Sequence, residues 1–301
     1  MSEARDPGAT AGEVAGARPK PAPDPLAIDE SVIPQIDALT LTRGRPLIVS
    51  DADEVLLQFL VGLERYLETQ GLWLDLTSFA LTGNIRRRDT NEPVPPSEMP
   101  ALMDGFFVAS THELDVVPGA AEALDALSER AQVVVLTNVP LEQKAKREAC
   151  LGAHGIPWPV IANKGLKGGA VRRLAARVEA PVFFLDDIPH NLTSVAKAHM
   201  PTHLIHFIAD PRLSKLLGPA KDSHFHTTEW GKPPTSTEEK RRAEGSGGRH
   251  SPLEAKKKSK NQGNPAESRG PGASRHTPPP HRDPGFPRDD HLPLTHISET
   301  T

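Results

Sequence analysis

Apolar residues in this chain gather into short runs and helical stripes between about residue 44 and about residue 210. Leu47-Ile48-Val49 is an apolar run without polar alternation, the pattern of a parallel strand covered on both faces. From Glu54 to about Thr69, Val55, Leu56, Phe59, Leu60, Leu63, Tyr66 and Leu67 keep helical spacing, and Gly71 is a plausible stop. Between about 70 and 115 the alternation breaks. An apolar stretch over 72–81, the run Arg86-Arg87-Arg88, a proline-rich loop over 91–96 and a helix opening at 97–100 predict a small, mainly helical insert that leaves the sheet and returns. From Pro118 onwards the pattern predicts helix 119–127, strand 132–136, helix 140 to about 153 and strand 160–161. A helix from Lys167 or Gly168 to about 178 follows, then strand 182–185, helix 189 to about 199 and a last strand at 203–208.

Strands alternating with helices predict an α/β fold, a Rossmann-like doubly wound parallel sheet with right-handed crossovers. Each polar cluster suited to chemistry falls where a predicted strand ends. Asp51 and Asp53 follow the first strand, Thr137 and Asn138 the second, and Asp186 and Asp187 the fourth. Open α/β sheets bind ligands outside the carboxyl ends of their strands, so these clusters are expected to meet at one edge.

Composition changes this picture at the ends. Residues 1–42 are rich in Ala, Pro, Gly and charge, and residues 231–301 are richer still in Pro, Gly, Ser, Lys, Arg and His. Such segments bury too little apolar surface to offset chain entropy, so both are expected to be disordered, leaving a catalytic domain over 43–230. A formal net charge of -4 argues against nucleic acid as a partner. The basic run at 256–260 reads as a solvated tail without interleaved aromatic residues. No apolar run reaches signal-peptide or membrane-spanning length, and Cys150 is the single cysteine. A reducing, cytoplasmic setting is expected, with Cys150 packed inside a helix and no membrane partner.

Two carboxylates as close as Asp51 and Asp53 repel unless a divalent cation or a proton neutralises them. Taken alone, they fit a solvated loop with a helix cap, or a metal site facing a nucleotide-sugar phosphate, as in some glycosyltransferases. Four stretches in order narrow the reading. They are Asp51-Ala52-Asp53-Glu54-Val55 behind its strand, Val133-Val134-Val135-Leu136-Thr137-Asn138, the lysine-bearing Asn163-Lys164-Gly165-Leu166-Lys167-Gly168-Gly169-Ala170, and Phe183-Phe184-Leu185-Asp186-Asp187-Ile188-Pro189-His190-Asn191.

In these stretches the chain resembles the haloacid dehalogenase superfamily, mostly phosphatases, over roughly residues 44–210. The resemblance implies a Mg2+-dependent phosphomonoester hydrolase acting on a small soluble phosphorylated substrate. Asp51 would be the nucleophile that forms an aspartyl-phosphate, and Asp53 the acid and then the base. Thr137 would hold a phosphoryl oxygen together with the backbone amide of Asn138, and Lys167, preferred over Lys164, would pair with Asp51. Asp51, the carbonyl of Asp53 and Asp187 would hold Mg2+, with Asp186 as second ligand or as lysine partner. Asn191 stands where the spaced form of the family's metal motif carries a second acid. The presence of Asp53 argues against a dehalogenase. The insert matches the family's first cap position, from which Arg86 is a candidate for binding substrate, as is His190 at its helix start. A phosphomutase, a phosphatase acting on a protein, and a non-catalytic binding or regulatory protein remain open readings.

Overall fold

The run expected to be a buried strand is one. Leu47–Ser50 (β1) is buried throughout and lies at the heart of a seven-stranded sheet. Gln132–Thr137 (β4) pairs with it on one side and Val182–Asp186 (β6) on the other, with Val49 level with both Val134 and Phe184. The computed structural model describes residues 23–231 and 235–236; the expectations for residues 1–22 and for the tail, including the basic run, lie outside the described residues. Beyond β4 lies Val160–Ala162 (β5). Beyond β6 lie His203–Phe207 (β7), Phe225–Thr227 (β8) and Thr235–Ser236 (β9). Every pairing in this sheet is parallel except β8 with β9, so six strands make a parallel, Rossmann-like sheet. The chain winds outward from β1 to β5, then restarts at β6 on the opposite side. The crevice where strand order reverses therefore opens at the carboxyl ends of β1, β4 and β6.

Alternate residues of the central strands feed two cores. Leu47, Val49, Val134 and Phe184 pack with Val32–Asp37 (α1), Gly168–Val178 (α6) and Pro189–Ala198 (α7). Ile48, Val133, Val135 and Leu185 pack with Ala120–Ser128 (α4), Lys144–Ala153 (α5) and the insert. The single cysteine, Cys150, is buried in α5 and donates to the Leu114 carbonyl at 3.4 Å. Among the described residues no helix is long and apolar enough to cross a membrane.

Several expectations are corrected. Residues 23–42 are not uniformly featureless, because α1 sets Val32 and Ile36 at 0% exposure against α6 and β5. Composition hid a helix of six residues in a proline-rich region. The helix expected from Glu54 starts at Phe59 and runs to Thr69 (α2). Glu54 has φ +56°, and the amides of Leu56 and Leu57 both return to the Ala52 carbonyl at 2.8 Å, so a tight turn stands where the apolar spacing suggested helix. The insert is also wider and less helical than expected. A bridge between Leu57 and Val116 closes its base, so α2 belongs to it. It also contains the antiparallel hairpin Leu72–Leu74 (β2) with Ile85–Arg87 (β3), and the helix Met99–Ser110 (α3). Among the described residues 203–208 does not hold the last strand, because β8 and β9 follow it after the helix Pro211–Leu216 (α8).

Candidate active site

Asp51 leaves β1 into the crevice. Its amide donates to the Leu185 carbonyl at 2.9 Å, which ties it to the neighbouring strand β6. Its Oδ1 accepts from the Ala52 amide at 2.7 Å and pairs with Lys167 Nζ, also at 2.7 Å. Lys167 caps the start of α6 and is only 1% exposed. Its ammonium is shared with Asp186 Oδ2 at 2.7 Å. Two glycines follow Lys167 and let α6 start against other backbone: a Cβ on Gly168 would lie 2.6 Å from the Ser194 carbonyl oxygen, and one on Gly169 2.7 Å from the Leu26 carbonyl oxygen. Lys164 is exposed at the rim of the cavity.

Asp186 and Asp187 close β6 differently. Asp186 is fully buried. Besides Lys167 it accepts from the Ile188 amide at 2.9 Å and from Asn191 Nδ2 at 3.1 and 3.2 Å. Its oxygens are thus occupied by the protein, which suits a lysine partner. The carboxylate of Asp187 accepts no hydrogen bond among the described residues, though it is only 3% exposed; its backbone carbonyl accepts from His206 Nε2 at 3.0 Å. Oxygens of Asp51, Asp186 and Asp187 lie within 4.8 Å of one another.

This cluster sets three buried carboxylates against one ammonium. Burial, with the neighbouring carboxylates adding and Lys167 opposing, pushes the Asp51 carboxyl up to about 7. Burial and the same neighbours hold Asp187 well above the usual carboxylate range. Burial would lower Lys167, but Asp186 and Asp51 outweigh it and hold the ammonium above its ordinary value. The surplus negative charge and the free hard oxygens of Asp187 suit a divalent cation. Asp51, Asp187 and, less freely, Asp186 could hold it.

Asp53 reaches the same cavity but is bonded through Oδ1 to Arg147 Nη1 at 2.6 Å. Arg147, on α5, is 0% exposed, and its Nε and Nη2 have no hydrogen-bond partner among the described residues. Sequence reading missed it: Arg147 lies 94 residues from Asp53, and only an arginine among the buried positions of α5 hinted at a partner. Glu54 was also missed. It lines the cavity, and its carboxylate accepts from the amides of Leu60 at 2.7 Å and Asp210 at 3.0 Å and is pushed by burial up to about 7. Its positive φ fixes the turn that aims Asp53.

Thr137 ends β4 with its Oγ1 fully buried and without a hydrogen-bond partner among the described residues; unlike Asn138 it does not line the cavity. Asn138 lines the cavity. Its Oδ1 accepts from Asn163 at 2.8 Å and its Nδ2 donates to the Gly165 carbonyl at 3.1 Å, so it braces the lysine loop. The structure does not bring Arg86 or His190 to the site. Arg86 is bonded to Asp75 at 2.9 Å and to the Asn91 carbonyl at 3.0 Å within the insert. Its neighbours Arg87 and Arg88 pair with Glu98 and Glu68, and none of the three lines the cavity. His190 is exposed on the first turn of α7, outside the cavity lining.

The cavity above the cluster is about 600 Å³, roofed by Phe59 of α2 and by Met103 and Phe107 of α3. The insert therefore stands over the carboxylates as a cap.

No family model matches the sequence, and no curated protein matches it. Solved structures do. A haloacid dehalogenase family hydrolase from Deinococcus radiodurans R1, solved with bound phosphate and sodium, aligns at 18% identity over 67% of this chain and 96% of its own, with a TM-score of 0.43. A protein assigned as a β-phosphoglucomutase from Thermotoga maritima aligns at 16% identity over 67% and 99%, with a TM-score of 0.40. A haloacid dehalogenase-superfamily hydrolase from Ehrlichia chaffeensis aligns at 15% identity over 55% and 89%, with a TM-score of 0.34. At such values the chemistry has to be read from the site's own residues.

Proposed function

We propose that this protein is a Mg2+-dependent phosphomonoester hydrolase acting on a small soluble phosphorylated substrate. The observation that carries the reading is Asp51. It is a carboxylate at the carboxyl end of the central strand, bonded to a buried lysine and grouped with Asp187 under a capped cavity. Asp51 and Asp187, with the Asp53 carbonyl, would hold the cation, and when bound it would offset the charge of Asp51 and of the phosphoryl oxygens.

A phosphate monoester entering the cavity places its phosphorus before the free oxygen of Asp51. Lys167 holds Oδ1 and turns the other oxygen toward the substrate. The P–O bond to Asp51 forms as the bond to the leaving oxygen breaks, giving an aspartyl-phosphate and an alcohol. Asp53 supplies the proton that the leaving oxygen takes. In the second step Asp53 takes a proton from water as its oxygen joins phosphorus, and Asp51 is released with inorganic phosphate. Thr137, with its unpartnered hydroxyl, and the amide of Asn138 hold phosphoryl oxygens. Asp53 must turn from Arg147 to act, which couples proton transfer to substrate entry. The lone, buried Cys150 suits a reducing, cytoplasmic setting.

The test is phosphate release from aryl and alkyl phosphates with and without Mg2+, in wild type and Asp51→Asn. Mg2+-dependent release that disappears in the variant is expected. Folded wild-type protein that releases nothing, or that moves the phosphoryl group to another hydroxyl of the substrate, would overturn the hydrolase reading.

A further inference from the structure

The cap helix α3 supplies one long wall of the cavity, with Met103, Asp104, Phe107 and Val108 lining it at helical spacing. This helix carries one charged residue, Asp104, among its twelve, and its other exposed residues are Ala101, Val108 and Ala109. A surface helix ordinarily turns charge outward, and one that is apolar on nearly every side calls for cover. At the mouth of the cavity Val108 is 55% exposed, and Leu141, just past β4 on the base, is 48% exposed; both line it. Lys146 Nζ of α5 donates to the Val108 carbonyl at 2.9 Å, which holds this end of the cap to the base. Apolar lining therefore continues from Phe59 and Phe107, over the carboxylates, out to the mouth and across from cap to base.

The polar lining is turned elsewhere. Ser31 Oγ donates to Asp29 at 2.7 Å, Asn163 Nδ2 to Asn138 at 2.8 Å, Asn138 Nδ2 to the Gly165 carbonyl at 3.1 Å and Asn191 Nδ2 to Asp186 at 3.1 Å. A site that reads a hydroxyl-rich body keeps polar groups open for it, and those open groups are what reject a body without hydroxyls. Cations are scarce as well. Apart from Lys167, Lys164 is the one cation lining the cavity among the described residues, and it helps to hold the Asp29 carboxyl low. The cap arginines that could have met an anion are bonded within the insert.

We infer that the leaving alcohol is neutral and largely hydrocarbon, lying along α3 from the carboxylate cluster to the mouth between Val108 and Leu141. The inference rests on the phosphomonoesterase reading and adds the substrate class. The cavity, at about 600 Å³, holds far more than a phosphoryl group, so the leaving group fills most of it. A sugar body would bury its hydroxyls against Phe59, Met103 and Phe107 without partners, which is costly. A second anionic group would meet the exposed carboxylates Asp104 and Glu142 at the rim. A hydrocarbon body displaces water from the cap wall and covers the two exposed side chains at the mouth.

Ethyl, butyl and hexyl phosphate, with glucose 6-phosphate beside them, test this in the presence of Mg2+. The value of kcat/KM is expected to rise about threefold to fourfold for each added methylene, so that hexyl exceeds ethyl phosphate by about a hundredfold. Glucose 6-phosphate should fall well below hexyl phosphate. In Val108→Ser/Leu141→Ser, both changes at exposed positions, the rise from butyl to hexyl should flatten, with hexyl phosphate losing more than ethyl phosphate. Calorimetric affinities of the matching alkylphosphonates, whose P–C bond is not hydrolysed, report binding to the wild-type protein independently of turnover. Affinity that climbs with chain length while no ester turns over would support the leaving-group class and reject the hydrolase. Turnover that ignores chain length, favours glucose 6-phosphate, or keeps its full slope in the double variant would overturn the inference and leave the hydrolase standing. Neither binding nor turnover in folded protein would overturn both.

Discussion

Asp51 carries opposing demands: the proposed chemistry needs its carboxylate ionised, and its burial beside two more acids disfavours that. Asp51→Asn should therefore cut phosphate release by roughly 10⁴-fold or more, as loss of a nucleophile does, while raising the melting temperature of chelator-treated protein. The pH dependence has a definite sign. An ordinary aspartate near 3.8 is raised in the folded chain to about 7, so the folded state keeps its proton where the unfolded state has lost it. The resulting stability is complete below about pH 4 and is lost as pH rises toward 7. Glu54, raised from 4.5 to about 7, acts in the same direction. Together they should remove several kcal/mol, on the order of one for each of nearly six pKa units, between pH 4 and pH 8. Thermal melts of metal-free protein across that range check this, and the fall should be shallower in Asp51→Asn. Mg2+ should stabilise more at pH 8 than at pH 5.5, because binding competes with protons. A melting temperature that rises with pH in metal-free protein would contradict the account.

Helix α6 places Lys167 at Asp51, and its start is set by backbone proximity that only glycine permits. Gly168 and Gly169 open α6 directly after Lys167, against the Ser194 carbonyl and the carbonyls of Leu26 and Ala27. Gly169→Val should push the 24–28 segment off α6, cost about 1–3 kcal/mol as overpacking does, and displace Lys167. Faster amide exchange over 24–28 together with a lower kcat is the expected pair of results; normal exchange would show that the backbone has room. In the cap, Gly62 faces Leu114 and Gly105 faces Tyr66. Phe106, at 0% exposure, joins α2 and α3 by edge contacts with Phe59 at 5.1 Å and Tyr66 at 5.8 Å. Phe106→Ala should cost roughly 3–5 kcal/mol. Because Phe59 lines the cavity, KM should rise more than kcat falls, which steady-state kinetics on the folded variant would reveal.

In the molecule as a whole, the parallel sheet gathers the carboxyl ends of β1, β4 and β6, and the segment before β1 braces the helices behind them. Gln35 bonds both the amide and the carbonyl of Ala162 on β5, at 3.0 and 2.9 Å, and Arg173 of α6 holds Asp37 at 2.7 Å. A chain starting at residue 43 therefore loses Val32 and Ile36 from the core. Exposing two such side chains costs about 3–6 kcal/mol, so its melting temperature should drop clearly. An unchanged melt would mean that α1 is not part of the stable fold.

The central sheet and its strand-end chemistry were legible in residue order. β1, β4 and β6 are buried on both faces, so they appear as apolar runs, and a sheet built from such strands must bring their polar ends to one edge. Hence Asp51, Thr137, Asp186 and Asp187 could be chosen without coordinates. Other features were illegible because their signal is not periodic. α1 is too short, and contains Pro34, to stand out in a proline-rich region. β8 carries a histidine between Phe225 and Thr227 and lies near the sheet edge. The turn at Glu54 keeps helical spacing while its backbone reverses. The Arg147–Asp53 pair, the insert's closure between Leu57 and Val116, and the confinement of Arg86 to the cap all join residues in ways that local spacing does not record, whereas Lys167 rather than Lys164 at Asp51 was readable from the glycines that open its helix. Burial repeats along a strand or helix and so leaves its trace in local order. Which charge meets which depends on how the crossovers pack, and no local pattern carries that.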